Sequence, residues 1–143
     1  MSNFEIVRLT KSDVQIAHQL AAQLPGEPSV SPERLVDLLA DERNFVLAAM
    51  RNGVPVGHLV AHRFPSLAGE RLVYLYDIEV HPAERRLGIG RHLVSLLKDI
   101  CLAQGVDSIW VGSSLTNVAA CSLWTKTGAE RVSDQYVEFI YEL

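Results

Sequence analysis

The sequence predicts an α+β domain with a mixed, mostly antiparallel sheet of about seven strands flanked by about four helices. Three observations support this prediction. The apolar stretch Leu72–Val80 is typical of a strand buried on both faces. A glycine-containing turn and a helical apolar pattern follow it, from Ile89 to Ile100. Earlier in the chain, Asn52 and Gly53 separate two apolar runs and favour a tight hairpin. The hairpin argues against a doubly wound fold, in which strands and helices alternate strictly.

The N-terminal part is predicted to form one strand and two helices. Phe4–Leu9 alternates as a strand does, and Ser12 can cap a helix whose apolar positions extend to Leu24. Pro25 and Gly26 end that helix. The second helix begins at Ser31-Pro32-Glu33, which combines a capping hydroxyl, a proline at the first helical position and an acid in the first turn.

The rest of the chain is predicted to complete the sheet. The strand after the long helix runs parallel to the central strand, because a helix connects the two. The remaining predicted elements are the hairpin strands Asn44–Met50 and Val54–Phe64, the parallel strand Ser108–Ser114, a helix over residues 117 to 127, and a closing hairpin of Glu130–Val132 with Tyr136–Leu143.

Composition narrows the class of protein. The 143 residues are most simply one domain, residues 1–143, and 48% hydrophobic and 21% charged residues are globular values. A net charge of −4 does not favour a nucleic-acid partner. The spacing of Cys101 and Cys121 matches neither a zinc site nor a redox pair, so no metal is expected and both thiols are predicted to be buried. No run of 18 apolar residues and no secretory leader is present, which predicts a cytoplasmic protein without a membrane partner.

The turn after the central strand is unusually basic. It holds Arg85, Arg86 and Arg91 next to Gly88 and Gly90. Cations at the start of a helix oppose its dipole, whereas free amide groups, glycines and guanidinium groups together suit a phosphate or pyrophosphate. The alternative is a solvated arginine cluster on an ordinary loop. The turn lacks the lysine of a nucleotide-binding P-loop and the third glycine of a dinucleotide fingerprint.

Two segments resemble the GNAT superfamily of N-acetyltransferases. Arg85-x-x-Gly88-x-Gly90, at the start of a long helix, resembles the acyl-CoA pyrophosphate loop of that family. Asn117, Ala120, Trp124 and Gly128 match the order and spacing of its second signature. The resemblance covers residues 4 to 143 and is most specific over residues 72 to 129. Within the superfamily, the segments 74–80 and 124–128 are most similar to the aminoglycoside 3-N-acetyltransferase branch.

The resemblance implies a GNAT-like fold, acetyl-CoA as co-substrate and a set of cofactor contacts. Main-chain groups of Ile78, Glu79 and Val80 would bind pantetheine, and the Val80 N–H would polarise the acetyl carbonyl. Asn117 would reach the pantetheine, and Trp124 would pack against the cofactor. The loop that would hold the pyrophosphate comprises Arg85, Arg86, Leu87, Gly88, Ile89, Gly90 and Arg91. Four acids near the first two helices could hold a cationic substrate or form a solvated face: Glu27, Asp37, Asp41 and Glu42.

Acetyl transfer to an amine needs a proton acceptor, because an alkylammonium is unprotonated only about once in a thousand at pH 7. Asp77 and Glu79 share one face of the central strand if it alternates regularly. Asp77 is the preferred base or ammonium anchor and Glu79 the second choice, while a structural ion pair with an arginine of an adjacent strand is the alternative. Trp124 stands where the family usually has the tyrosine that protonates the leaving thiolate, and indole cannot do so. Tyr74, Tyr76, Ser122, Cys121 or water could supply that proton, or the thiolate could leave unassisted as a reasonably stable anion.

The predicted function is acetyl-CoA-dependent transfer of an acetyl group to a primary amine by direct attack. The acceptor would be an aminoglycoside or another small-molecule amine, or else a protein amine. The competing hypothesis is a catalytically silent acyl-CoA sensor or interaction module, which the replacement of tyrosine by Trp124 favours. Cys121 as an acyl-carrying nucleophile is a further alternative. The resemblance also allows a homodimer.

Overall fold

The structure is a computed structural model that describes residues 3–26 and 29–143. The chain divides into two units, Met1–Gly112 and Ser113–Leu143. The first unit contains the sheet and three of the four described α-helices, and the second contains the remaining helix. The expectation of a single domain over residues 1–143 stays a prediction.

The described sheet has five strands in the order β1-β2-β3-β4-β5. The first three neighbouring pairs are antiparallel, and only β4 and β5 run parallel. The mixed, mostly antiparallel arrangement predicted from the sequence is therefore confirmed. The strands are β1 (Glu5–Arg8), β2 (Asn44–Arg51), β3 (Val54–Pro65), β4 (Arg71–Val80) and β5 (Ser108–Val111).

Helices cover both faces of this sheet. On one face α1 (Val14–Ala22) and α2 (Pro32–Ala40) pack against alternate residues of β2, including Val46 and Ala48. On the other face lies α3 (Ile89–Ala103), whose Ile89, Leu93 and Leu97 are fully buried. The helical spacing of these side chains is what the sequence predicts, so burial of a single stripe accounts for the position of α3.

Backbone conformation confirms the local turn predictions. Asn52 and Gly53 have φ values of 52° and 76°, the pair of left-handed residues that a type I′ hairpin turn requires. Gly105 follows α3 with φ of 68°, the usual geometry for ending a helix. Ser12, by contrast, does not cap α1, because it lies inside a 3₁₀ turn, Lys11–Asp13, whose N-cap is Thr10.

The prediction of about seven strands is wrong for the described residues, which form five. The predicted closing hairpin, Glu130–Val132 with Tyr136–Leu143, has no strand structure. A strand needs a partner for its backbone groups, and alternation in sequence does not supply one. The apolar side chains of this segment are exposed, with Phe139 at 86% and Ile140 at 78%. In the second unit, α4 (Val118–Lys126) forms as predicted and ends before Gly128, which has φ of 96°.

Candidate active site

The two carboxylates of the central strand lie on the same face, as the alternation predicts. Asp77 of β4 is paired with Val60 of β3, and Glu79 of β4 is paired with His58 of β3. The register shifts just before this pair, and Tyr76 is left out of the pairing. Tyr76 is therefore the extra residue of a β-bulge, which re-aims the last residues of β4.

Asp77 is hydrogen-bonded to a histidine of the neighbouring strand. His58 Nε2 lies 2.9 Å from Asp77 Oδ2. The side chain of His58 is 9% exposed and that of Asp77 41%, so the pair extends from the core to the surface. The hydrogen bond from His58 lowers the pKa of Asp77 below its ordinary value, and this outweighs the effect of partial burial. A carboxylate with a lowered pKa stays ionised to lower pH and is a weaker proton acceptor.

His58 belongs to no motif, and the sequence offers only a weak signal for it. It interrupts the apolar run of β3 and is buried, with 7% of the residue exposed. A buried polar group needs a partner, and the adjacent strand supplies Asp77. The ion pair considered from the sequence involved an arginine, but the structure supplies a histidine instead.

A cleft of about 190 Å³ lies at this end of β3 and β4. Its walls come from the end of α1, from β3, and from the last residues of β4 with the loop that follows. The site is concave and places polar groups among apolar ones, which is the usual character of a small-molecule site. Its lining includes Gln23, Leu24, His58, Glu79, Val80 and Arg85.

The close approach of β3, β4 and α3 depends on Gly57. A Cβ at this position would lie 3.0 Å from the Glu79 carbonyl oxygen and 3.4 Å from Ile89 Cγ2. A contact of 3.0 Å against backbone is tighter than nine in ten real Cβ contacts, so a side chain here would force its neighbours to shift by a few tenths of an ångström. Gly57 therefore favours the close packing of β3 against the end of β4 and the start of α3.

The loop between β4 and α3 has the geometry of an anion cradle. Arg86 and Gly88 have left-handed φ values of 69° and 83°, and such residues turn successive amide groups to one side. Among the described residues, no backbone carbonyl outside α3 accepts from the amides of Leu87, Gly88, Ile89, Gly90 or Arg91. The first amides of a helix also lack partners inside it. Arg86 and Arg91 are exposed and form no ion pair within the described residues.

Side-chain contacts within the loop, and one from β2, hold the start of this loop in place. Arg85 Nε donates to the Val80 carbonyl oxygen at 3.2 Å, and Arg51 of β2 forms an ion pair with Glu84. His81 Nδ1 accepts from the Ala83 amide at 3.2 Å. Arg85 thus holds the end of β4 in addition to lining the cleft, and its predicted contact with a cofactor stays a prediction.

In the second unit, the signature residues make local contacts. Asn117 Oδ1 accepts from the Ala120 amide at 3.1 Å, so Asn117 caps α4. Trp124 Nε1 donates to Ser113 Oγ at 2.7 Å. The predicted cofactor contacts of Asn117 and Trp124 stay predictions. Cys121 is partly exposed, contrary to the expectation of a buried thiol. Cys101 is buried as expected, and burial raises the pKa of its thiol to about 11.

The acids proposed from the sequence as substrate ligands differ in their surroundings. Asp41 is bound by Arg43 at 2.8 Å, and this hydrogen bond lowers the pKa of Asp41 to about 2. Asp37 and Glu42 are exposed. Glu27 lies outside the described residues. Asp41 is therefore already neutralised by a cation of its own chain.

Comparison with known proteins decides the family. A model of the acetyltransferase (GNAT) family matches residues 14–129. The chain belongs to the GNAT family. This membership covers the central strand, the basic loop and the second signature. A comparison with curated protein sequences gives no match.

Solved structures with the same fold cover nearly the whole chain. The aminoglycoside acetyltransferase HMB0005 from an uncultured soil metagenomic sample is 25% identical with a TM-score of 0.86, over 100% of this chain and 99% of that one. The aminoglycoside acetyltransferase meta-AAC0020, also from an uncultured soil metagenomic sample and in complex with sisomicin, is 23% identical with a TM-score of 0.86, over 99% and 97%. AAC(6′)-Iy, in complex with a bisubstrate analogue containing CoA, is 21% identical with a TM-score of 0.82, over 99% of each chain. The GNAT fold predicted from the sequence is thereby confirmed.

The described residues contain no group of three or more histidine, cysteine or acidic side chains that could hold a metal ion. No helix in the described part of the chain is long and apolar enough to cross a membrane.

Proposed function

We propose that this chain is an acetyl-CoA-dependent N-acetyltransferase that acts on a small-molecule primary amine by direct attack on the thioester. Family membership supports acetyl transfer, and the loop between β4 and α3 is the observation that carries the proposal. The amides of residues 87 to 91 are without backbone acceptors outside the helix, and they lie beside Asp77 and Glu79 in the chain. The cytoplasmic location expected from the sequence is part of the proposal.

The residues of the loop fit a diphosphate. Two left-handed residues lie among amides without backbone acceptors outside the helix, and exposed Arg86 and Arg91 add positive charge. In this proposal the amides of residues 86 to 91 hold the pyrophosphate of acetyl-CoA, and main-chain groups of Ile78, Glu79 and Val80 hold its pantetheine arm. Acetyl-CoA supplies an activated acyl group, and the chain supplies orientation and proton transfer.

The carboxylates of β4 would prepare the amine. We assign Asp77 to the negative charge that supports proton removal from the amine, with Glu79 lining the adjacent cleft. A cationic acceptor is attracted to the ionised carboxylate of Asp77, and it must lose a proton before it attacks. An acceptor with several ammonium groups satisfies both needs, because one group can be held while another reacts.

The acceptor is proposed to be an aminoglycoside or a related polyamine. The support comes from the metagenomic enzyme of 25% identity, which is an aminoglycoside acetyltransferase. The similarity of two segments to the 3-N branch predicts acetylation of the 3-amino group, whereas one structure with the same fold is AAC(6′)-Iy. The position of the new amide in the product separates these two regiochemistries.

A silent acyl-CoA sensor is the second candidate, and Trp124 favours it. The indole donates to Ser113 and cannot protonate a leaving thiolate. A thiol-release assay with acetyl-CoA and a library of aminoglycosides, polyamines and amino-terminal peptides tests both candidates. Transferase activity predicts thiol release with at least one amine and a matching N-acetylated product. A sensor predicts saturable acetyl-CoA binding by calorimetry with no amine-dependent thiol release.

A further inference from the structure

The buried histidine of β3 carries an inference beyond the family assignment. His58 Nε2 is committed to Asp77 at 2.9 Å. No hydrogen bond from the described residues reaches its Nδ1. Every fully buried side-chain nitrogen or oxygen of the described residues has a hydrogen-bond partner, so Nδ1, which has none, keeps some contact with solvent. Since His58 also lines the cleft, Nδ1 is the ring nitrogen left for a ligand.

We propose that His58 is the proton acceptor of the transfer reaction, with Asp77 as the positioning residue that holds its ring. This inference rests on the proposed acetyl transfer and deepens it. A carboxylate that accepts from Nε2–H keeps the other nitrogen as a lone-pair acceptor and stabilises the imidazolium that forms on protonation. Val80 lines the same cleft, so His58 lies near the amide predicted to polarise the acetyl carbonyl.

The proposed step is a direct transfer of the acetyl group from sulfur to nitrogen. The amine nitrogen forms a bond to the carbonyl carbon, the C–S bond breaks, and its electron pair leaves on sulfur. The ammonium nitrogen loses two protons: the first goes to His58 Nδ1 before the attack and then to water, and the second goes to the thiolate or to water as the amide forms. Asp77 stays ionised throughout, in agreement with its lowered pKa.

Few charged groups of the described residues lie around His58. From β4 and the loop after it, Asp77, Glu79, His81 and Arg85 line the cleft or contact the ring. From β2 the register partner is the apolar Ala48. From α1 and the turn that follows it, the lining residues are Leu20, Gln23, Leu24 and Pro25, all uncharged. An acidic limb in the rate profile would therefore come from this small set.

The test compares His58→Gln with His62→Gln, since His62 is a second partly buried histidine of β3 with a different partner. We expect His58→Gln to lower kcat/KM at neutral pH by about 10² to 10⁴ and to lose the acidic limb of the profile, with unchanged acetyl-CoA affinity. His62→Gln should keep the limb, and added imidazole should partly restore His58→Gln. Equal turnover with the same limb in His58→Gln would overturn the inference alone.

A second measurement does not depend on the variant folding. Nitrogen-15 NMR of the wild-type imidazoles reports which ring nitrogen carries the hydrogen. The inference predicts that neutral His58 is the Nε2–H tautomer, and an Nδ1–H tautomer would overturn it. If no amine is acetylated by the wild-type protein, the proposed function fails and the inference fails with it.

Discussion

β3 carries two histidines on the same face, four residues apart, and their partners differ. His58 Nε2 contacts the Asp77 carboxylate at 2.9 Å beside the cleft. His62 Nδ1 contacts the Asn44 amide oxygen at 2.8 Å, and Asn44 in turn donates to the Leu38 carbonyl of α2 at 2.9 Å. A carboxylate stabilises an imidazolium by its negative charge, whereas an amide oxygen accepts a hydrogen bond without supplying a charge. The partner, and not the residue type, separates a candidate catalytic pair from a structural link.

The difference extends to the two ends of the β3–β4 pair. At the His58 end, the strand continues into the loop with Gly88 at its left-handed position. At the His62 end, the two strands are joined by a turn that also contains a left-handed glycine, Gly69 with φ of 84°. These matched positions allow the two ends to be compared by equivalent changes.

The largest effect is expected from glutamate at these two glycines. Gly88→Glu should abolish acetyl-CoA binding, because it places a side chain and a negative charge in the proposed pyrophosphate cradle. Gly69→Glu carries a similar left-handed strain of about 1 to 2 kcal/mol at the other end and should bind normally. Calorimetry on both variants makes the comparison. Unchanged affinity in Gly88→Glu would remove the phosphate assignment.

The next effect tests the partners of the two histidines. Asp77→Asn should lower turnover at neutral pH by about 10² to 10⁴, because the charge that supports His58 is lost. Acetyl-CoA affinity should stay nearly unchanged, since the proposed cofactor contacts of β4 come from the backbone. Asn44→Asp, which gives His62 a carboxylate, should keep wild-type turnover in the same steady-state assay.

Two outcomes would revise the assignment of Asp77. A large loss in Glu79→Gln with normal turnover in Asp77→Asn would move the chemistry two residues along β4. Recovery of Asp77→Asn at high pH would indicate a lost base function, while a raised KM that alkaline pH does not repair would indicate a lost ammonium anchor.

These comparisons also separate what the sequence could predict from what it could not. The hairpin at Asn52 and Gly53, the strand Leu72–Val80 and the stripe of α3 depend on local signals, and all of them are confirmed. The His58–Asp77 contact depends on the register between two strands and on the bulge at Tyr76, neither of which is encoded locally.

The prediction of a closing hairpin is wrong for a related reason. Tyr136–Leu143 contains residues that favour strands, but in the described structure its backbone pairs with no other strand. Strand propensity reflects fit to a pleated, half-buried surface and so needs a neighbour. Arg85 is a further example, because the sequence shows its positive charge but does not predict its hydrogen bond to the Val80 carbonyl oxygen.

A smaller effect, on the free energy of unfolding, is expected from adding a methyl group at Gly57 against one end of β4. Gly57→Ala should lower the free energy of unfolding by about 1 to 3 kcal/mol, because the new methyl group meets the Glu79 carbonyl at a calculated 3.0 Å. Gly112→Ala is the control, since its Cβ would lie an ordinary 3.7 Å from the Tyr74 hydroxyl oxygen. Urea denaturation should detect the first change, and a cost below about 0.5 kcal/mol is expected for the second.

The smallest effect concerns the dependence of stability on pH. Burial lowers the pKa of His62 below its model-compound value of 6.5, so the unfolded chain takes up its proton first as pH falls. Stability should therefore decline from pH 6.5 toward the lowered pKa, and His62→Gln should flatten this part of the curve. For Asp77 the lowered pKa contributes stability above pH 3.8 that is lost as pH falls through the lowered value. Urea unfolding across this range would contradict the account if His62→Gln kept the wild-type slope below pH 6.5.

Single-turnover mass spectrometry tests the central claim, direct acetyl transfer at the His58 end of the sheet, most directly. The protein, in excess over acetyl-CoA, is mixed with acetyl-CoA and an aminoglycoside or polyamine, and the reaction is quenched. The masses of the protein and of the small molecules are then measured. We expect one acetylated amine for each free CoA, with no acetyl group on Cys121 or elsewhere on the chain. Acetyl-CoA that stays intact in the presence of every amine, although it binds, would contradict the claim.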